Sequence, residues 1–490
     1  MARRWIHLTS PVSGEALGAA FEAVRSDLKV PAQFPPEVLA EADTVAADPP
    51  RVDRDETTVP FVTIDPPGSL DLDQAMHLER DGQGYHLRYA IADVPAFVRP
   101  GGAIDAEDRR RGQTIYCPDQ RTGLHPPRLS EDAASLLPDQ VRPAFVWDLH
   151  LDADGSVRDR ALYRAMVRST ARLDYASVQR DLDGGSAPEV LQLLRAVGLA
   201  RIEQEQARGG ASLPMPEEEV VPDGHGGYTV SLRPLLPVED WNAQISLLTG
   251  FVAADLMLGA KVGILRTMPP AHPRDVERFR LQAKALGVDW PSGQSYGDFL
   301  RELDRTDPRE LAVIYAATTL FRGAGYTPFD GTEPQPREHA ALASPYAHVT
   351  APLRRLVDRF GLAICEAIAS DQPVPDWARA ALPELPAIMK RSDHQAKAVE
   401  RACTDAVEAA VLHDRVGDTF EASVVELDDR DGGAQPDAPD QPAAPGGQVQ
   451  LTDPPVLGPC AGPLTLGARL TVRLVEADTI KRRVRFTPSA

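Results

Sequence analysis

Cysteine is scarce in this sequence. The 490 residues hold four, at Cys117, Cys365, Cys403 and Cys460, far apart and none in a CxxC pair. That excludes a disulfide framework and a cysteine-based zinc site, and it leads to the expectation of a reducing, cytoplasmic setting. Positive charge is also short: 52 Lys and Arg face 72 Asp and Glu, for a net charge of −20. A chain that coats nucleic acid through overall basicity is excluded. A local positive channel is not, because phosphate contacts act within a Debye length of roughly 8–10 Å. Long apolar runs are missing as well. No stretch approaches the roughly 18 uninterrupted apolar residues of a membrane span, and the arginines near the start lead into no apolar segment. We therefore expect neither a leader peptide nor a membrane partner. No internal repeat is visible.

What is present is length, proline and glycine. A chain of 490 residues exceeds one compact core, so two to four domains are expected, and 45 Pro with 36 Gly imply many loops. Residues 13–28, SGEALGAAFEAVRSDL, carry Leu17, Phe21 and Val24 at helical spacing after Ser13, and a second helix is expected over 35–43. Residues 1–55 thus read as a helical or winged-helix-like module. From Thr57 the period changes. TVPFVTID reads as a strand. AMHLER, the turn DGQG and YHLRYAIADV read as a hairpin with Tyr85, Leu87, Tyr89 and Ile91 on one face, and 143–157 as another strand and turn. Long helices follow over 239–262, apolar on most sides, and over 394–416, amphipathic. The end turns to strands again, about five in some 75 residues, the density of a small OB-type barrel. Residues 428–447 interrupt it with a Gly-, Pro- and Asp-rich stretch expected to be disordered. The expected division is 1–55, 56–412 and 413–490.

The segment IDPPGSLDLDQA, 64–75, sets Asp65, Asp71 and Asp73 within nine residues, followed by Gln74. In an extended chain Asp71 and Asp73 point the same way and Leu72 the other. The Pro-Pro-Gly turn can fold Asp65 back beside them. Such oxygen donors suit hard divalent cations, Mg²⁺ or Mn²⁺, and three carboxylates could serve two ions at the ~3.5–4 Å spacing used for phosphodiester cleavage. A solvated turn accounts for the same letters about equally well.

This segment resembles the signature of the ribonuclease II (RNB) family, usually I-D-P-x-x-A-x-D-x-D-D-A. Further stretches agree in the family's order: YAIADV (89–94), YCPDQRTGLHPPRLSEDAASLLPDQVRPAF (116–145), FRGAGYTPFDG (321–331) and YAHVTAPLRRLVDR (346–359). The end resembles the family's S1-type RNA-binding OB-fold, so the likeness runs from about residue 57 to the end. It implies an α+β fold: a mixed-sheet catalytic domain with helices, a C-terminal barrel and the small N-terminal helical module. It implies a processive 3′→5′ hydrolytic exoribonuclease that degrades single-stranded RNA to nucleoside 5′-monophosphates with a divalent metal. Nothing in the sequence suggests an obligate assembly, so a monomer is expected. Asp65, Asp71 and Asp73 map onto the metal-site aspartates, Gln74 onto a fourth. Tyr116 maps onto the tyrosine beside the 3′-terminal nucleotide, and Arg354 onto the arginine at the scissile phosphate. A stacking ring suits any base, and a guanidinium forks onto phosphate. Arg355 and His348 are further candidates to reach RNA. Pro352 is expected near the first position of a helix whose N-terminus faces phosphate. In the barrel, Lys481, Arg482, Arg483 and Arg485 form the strongest basic cluster and are expected to guide the RNA backbone.

Four departures from the family pattern stand out. Gln74 replaces an aspartate, Ala351 a serine and Leu356 an aromatic, and the 55 leading residues are too few for two cold-shock barrels. The first of these supports an alternative, a non-catalytic RNA-binding regulator of the same fold. A DNA exonuclease is a weaker option, since carboxylates do not distinguish the sugars.

Overall fold

In the computed structural model of the chain, the described residues are 14–211, 217–222, 228–233, 235–304, 307–428, 446–454 and 456–489. The first two helices, α1 (Gly14–Asp27) and α2 (Pro36–Ala47), do not form a body of their own. Leu17, Phe21 and Val24 of α1 pack with Val399, Cys403 and Val407 from far along the chain, whereas Val38, Ala42 and Ala46 of α2 join Phe97 and Ile104. Among the described residues, 14–55 contain two helices and no strand.

A closed barrel follows. Its strands are β1 (Phe61–Ile64), β2 (Gln74–Asp81) and β3 (Gly84–Ala92), then, after α3 (Val94–Phe97), α4 (Ala103–Arg111) and the short hairpin β4 (Ile115–Tyr116) and β5 (Arg121–Thr122), the long strands β6 (Val141–Leu151) and β7 (Val157–Leu173). The order is β1-β2-β3-β6-β7, and the parallel pairing of β1 with β7 closes it. Period-two alternation explains why these residues are strands. Tyr85, Leu87, Tyr89 and Ile91 lie opposite Leu151, Leu149, Trp147 and Phe145, so all eight share one face, and all eight are buried in the main core. Burial of each such side chain contributes roughly 1.5–3 kcal/mol. Ala90, Ala92, Ala144 and Val146 pack on the other face with Leu72 and Phe97. The β2–β3 turn needs glycine twice. Gly82 sits at φ +61°, and a Cβ on Gly84 would stand 1.9 Å from the Leu151 carbonyl oxygen.

Helices cover the large apolar face: α5 (Tyr175–Gly184), α6 (Glu189–Arg208) and, beyond the hairpin β8 (Glu217–Pro222) and β9 (Tyr228–Arg233), α7 (Pro237–Ala260). Helix α7 is long and apolar enough to cross a membrane, but here Trp241, Ile245, Leu248, Val252 and Met257 are packed into the core. The ribbon β10 (Val262–Thr267) and β11 (Gly325–Asp330) encloses α8 (Pro273–Ala285), α9 (Tyr296–Glu302) and α10 (Pro308–Ala317) in sequence. Then come α11 (Leu356–Ala369), α12 (Asp376–Ala381) and α13 (Leu385–Leu412). Helix α13 starts nine residues before the expected 394, because Leu385, Ile388, Met389 and Ser392 supply a buried face to its first turns.

The chain ends in a second closed barrel, β12 (Thr419–Leu427), β13 (Gly446–Leu451), β14 (Leu457–Ala461), β15 (Arg469–Asp478) and β16 (Arg483–Pro488), ordered β12-β13-β14-β16-β15. Most of the segment expected to be disordered, 429–445, lies outside the described residues. Its end does not fit that expectation, since Gly446 and Gly447 open β13 and pair with Ala461 and Cys460.

Candidate active site

The acidic segment leaves the first barrel at its β1 end. Asp65 follows β1, with its amide donating to the Leu173 carbonyl at 3.1 Å. The turn 66–69 closes through Ser69 N–H to the Pro66 carbonyl (3.2 Å), and Gly68 takes φ +86°, which any side chain would strain. Leu72 is buried. Its amide donates to Ser135 Oγ (2.9 Å), and that hydroxyl donates to the Leu70 carbonyl (2.6 Å). Asp73 O accepts from Ala92 N–H at 2.9 Å. The backbone is thus fixed in extended form, with Leu72 in the core and Asp71 and Asp73 projecting opposite to it.

A loop from 280 residues downstream meets them. Leu353 N–H donates to Asp73 Oδ1 at 2.7 Å and Arg354 Nε to Oδ2 at 3.2 Å. The Arg354 side chain stays 44 % exposed. The hairpin β4–β5 is tied to the same loop. Thr114 N–H donates to Arg354 O (2.9 Å), Leu356 N–H to Gly112 O (3.0 Å), and Gln113 and Arg355 form a β-bridge. This bridging corrects one expectation: Arg355 is extended and α11 begins only at Leu356, so Pro352 lies in a turn before the helix rather than in its first turn. The same ties bring Tyr116 to the site with the residue 53 % exposed.

Burial, then the neighbouring Asp73, raise the Asp65 carboxyl to about 7, against the pull of Arg354. Burial raises Asp73 to about 7 also, although Arg354 and the Leu353 amide oppose it. Dehydration in the concavity, then Asp71, raise the Tyr116 hydroxyl to about 12. Buried carboxylates that offer only oxygen donors suit a hard divalent cation, which Asp65, Asp71 and Asp73 would hold, each with an arginine nearby: Arg172, Arg121 and Arg354. Such a cation would supply an activated water and charge neutralisation on phosphate.

The other expected site residues fall in different places. Gln74 stands beside the carboxylates, not among them. Its Nε2 donates to the Thr350 carbonyl (2.7 Å) and its Oε1 accepts from the Tyr89 hydroxyl, so both ends of the amide join β2 to neighbouring elements. In the folded chain Gln74 thus acts as a brace between β2 and its neighbours. Arg355 is held by Asp358 through two bonds of 2.9 Å. His348 accepts or donates at 2.7 Å with the Tyr326 hydroxyl, and burial, then Arg355, hold its pKa well below the usual value, so it is neutral. The four barrel cations singled out in the sequence are in ion pairs: Lys481 with Asp478 (3.2 Å), Arg482 with Asp27 of α1 (2.7 Å), and Arg483 and Arg485 with Glu476 (2.6 and 2.5 Å).

Two residues escaped the sequence reading. Arg121 of β5 bonds Asp71 and reaches Glu131 at 2.9 Å, and Arg172 lies near enough to Asp65 to lower its pKa. Arg121 lies five residues after Tyr116, within a segment already singled out, so its nearness to the ring was a usable signal. Arg172 carried none.

Residues 53–367 match the RNB domain, and 418–489 match the RNase II-type exonuclease C-terminal S1 domain. Ribonuclease R of Aquifex aeolicus (strain VF5) is 25 % identical over 426 residues, 82 % of this chain and 59 % of that protein. Exoribonuclease 2 of Edwardsiella piscicida is 28 % identical over 393 residues, 76 % and 59 % of the two chains. The exosome complex exonuclease RRP44 homolog A of Arabidopsis thaliana is 28 % identical over 314 residues, 61 % of this chain and 33 % of that one. The chain therefore spans only a third to about three-fifths of these relatives. Among solved structures, the apo form of Mycoplasma genitalium RNase R superposes with a TM-score of 0.84 at 20 % identity, covering 97 % of this chain and 78 % of that one. Yeast Ssd1, described as a pseudonuclease, superposes with a TM-score of 0.65 at 14 % identity, covering 86 % and 54 %. With nearly two-thirds of its length matched to the RNB domain and the remainder closed by an S1 barrel, this chain belongs to the RNB family.

Proposed function

We propose that the protein is a 3′→5′ hydrolytic exoribonuclease that processively removes nucleoside 5′-monophosphates from single-stranded RNA, with Mg²⁺ or Mn²⁺ as cofactor. The observation that carries this reading is the juxtaposition of dehydrated Asp65 and Asp73 with an exposed Arg354 and an exposed Tyr116. In this reading Tyr116 stacks on the terminal base, which holds the last linkage over the carboxylates without regard to sequence. The Arg354 guanidinium, oriented by Asp73 through Nε, neutralises the phosphate as negative charge builds on it. Arg121 keeps Asp71 in place. Names such as Ribonuclease R and Exoribonuclease 2 among the relatives support the activity.

A second reading has one observation in its favour. Gln74 occupies the place of a fourth carboxylate and is engaged as a brace, and one fold neighbour is a pseudonuclease. The chain would then bind RNA without cutting it. One experiment separates the two. Labelled RNA with Mg²⁺ should yield 5′-monophosphates, and Asp73→Asn should slow their release at least ~100-fold while RNA affinity stays within a few-fold. Wild-type protein that binds RNA but releases no mononucleotide would support the second reading.

A further inference from the structure

We propose that His86, Asp148 and His150 form a site for a borderline transition-metal cation of the Zn²⁺, Ni²⁺ or Co²⁺ class, separate from the acidic site. Their potential ligand atoms all lie within 4.8 Å of one another. The pairing of strands puts them there: His86 of β3 lies directly opposite His150 of β6, and Asp148 precedes it by two residues on the same face. That face is apolar and small at the acidic-site end, with Ala90, Ala92 and Val146, and turns polar from Arg88 and Asp148 onward. At about 3.4 Å per residue, the site stands about 17 Å along β3 from the level of Ile91, which pairs with Gln74.

The second layer is what makes this more than three polar neighbours. His86 Nδ1 is 2.8 Å from Glu79 Oε1, and His150 Nδ1 is 2.8 Å from Asp81 Oδ2. In the tautomer with the ring proton on Nδ1, held by its carboxylate, each Nε2 carries the lone pair. This is the pattern that orients and sharpens metal-binding histidines. Both Nε2 atoms then face one oxygen, Asp148 Oδ1, at 2.6 and 3.8 Å. The other oxygen of Asp148 accepts from the Tyr163 hydroxyl at 3.1 Å, so Oδ1 is the one turned to the rings. Two lone pairs aimed at a carboxylate oxygen repel unless a proton or a cation lies between them. With metal–nitrogen bonds of about 2.0–2.1 Å, ligands on a tetrahedral ion are about 3.3 Å apart, a value the two observed separations bracket. The rings are stacked, parallel within 7° and 4.3 Å apart, so binding one ion requires each to turn by tens of degrees until the two Nε2 lone pairs converge. Two imidazoles and one carboxylate select borderline metals over Mg²⁺ and leave a coordination position for water. The competing arrangement is a protonated His86 shared by Glu79 and Asp148.

The test uses the whole chain, stripped with a chelator and returned to millimolar Mg²⁺ to keep the oxygen site filled. Titration with Co²⁺ should give d–d absorption bands of a four- or five-coordinate ion at one equivalent, displaced by Zn²⁺. His150→Ala, at a half-exposed position, should weaken binding at least tenfold. Asp81→Asn, which keeps every ligand atom, should weaken it about tenfold. Asp73→Asn should leave it unchanged. Absence of such bands at 100 µM Co²⁺ (roughly the weak end of protein sites), or equal affinity in wild type, His150→Ala and Asp81→Asn, would overturn the proposal in favour of the shared proton.

Discussion

Asp73 receives an amide and a guanidinium from residues 280 positions downstream, yet burial still raises its pKa. A carboxylate in that condition is stabilised by added positive charge, which is why Asp73→Asn is expected to act on turnover before binding. Tyr116 is different: the residue is half-exposed, so its value lies in contact with a ligand and not in packing. Base stacking on such a ring is worth about 1–3 kcal/mol. Tyr116→Ala should therefore lengthen the final undegraded oligonucleotide by one or more nucleotides, with little change in the affinity of long RNA. Gel analysis of end products checks this, and an unchanged end product defeats the stacking role. The acidic spacing of 65, 71 and 73 was legible in the sequence because all three lie on one short segment. The brace role of Gln74 was not, because its partners Tyr89 and Thr350 come from another strand and a distant loop.

At the scale of elements, the loop carrying Arg354 is fixed by a buried ionic group. Arg359 of α11, fully buried, meets Asp105 at 2.7 Å and Asp108 at 3.5 Å, both on α4. His125 joins Asp108 (2.9 Å) to the Pro352 carbonyl (3.0 Å), just ahead of Arg354. Arg359→Leu leaves buried Asp108 without its cation and Asp105 with only Arg109, and should cost about 3–5 kcal/mol in urea unfolding. The pH dependence follows with a definite sign. Burial alone would raise the Asp105 carboxyl, but Arg359, the Gly101 amide and Arg109 outweigh it and hold the pKa below its usual value. Its stabilisation is therefore full above the unfolded value of about 3.9 and is lost as pH falls through the lower folded value. Thermal melts from pH 6 to pH 3 should show the wild type losing stability in that window more steeply than Asp105→Asn. The β2–β3 hairpin was readable from its alternation and its glycine turn. The start of α13 was not, since its burial depends on partners that the sequence does not display.

On the scale of the whole molecule, the second barrel is joined to the rest by specific polar contacts. Tyr315 of α10 donates to Gln450 (2.9 Å), Glu408 of α13 accepts from Leu457 N–H (3.0 Å), and Arg482 reaches Asp27. Between α13 and this barrel lies a cavity of about 640 Å³ lined in part by Lys397, Arg401, Arg482 and Arg483. With the molecule at −20 overall, the proposed RNA substrate would have to be held by such local cations against a repulsive mean field. Neutralising Arg483 and Arg485 to Gln should weaken long RNA several-fold and reduce the salt dependence of binding by less than the ~0.7 per contact expected for free cations, because Glu476 already shares them. Filter binding over a salt series measures both. An unchanged affinity would remove the barrel's cations from the RNA path.

By itself the sequence determined the elements whose cause is local: the alternating hairpin, the glycine turn, the long helices, the small strand-rich barrel, and three aspartates on one extended segment. Tertiary structure alone decided which cations meet those aspartates, that α1 and α2 dock on different surfaces, and that two histidines 64 residues apart face a common oxygen. The physical reason is range. Periodicity and turn chemistry act over a few residues and leave a mark in the letters. Ion pairs and shared hydrogen bonds between distant segments depend on strand register and on the way the barrel closes, and those exist only in the folded chain.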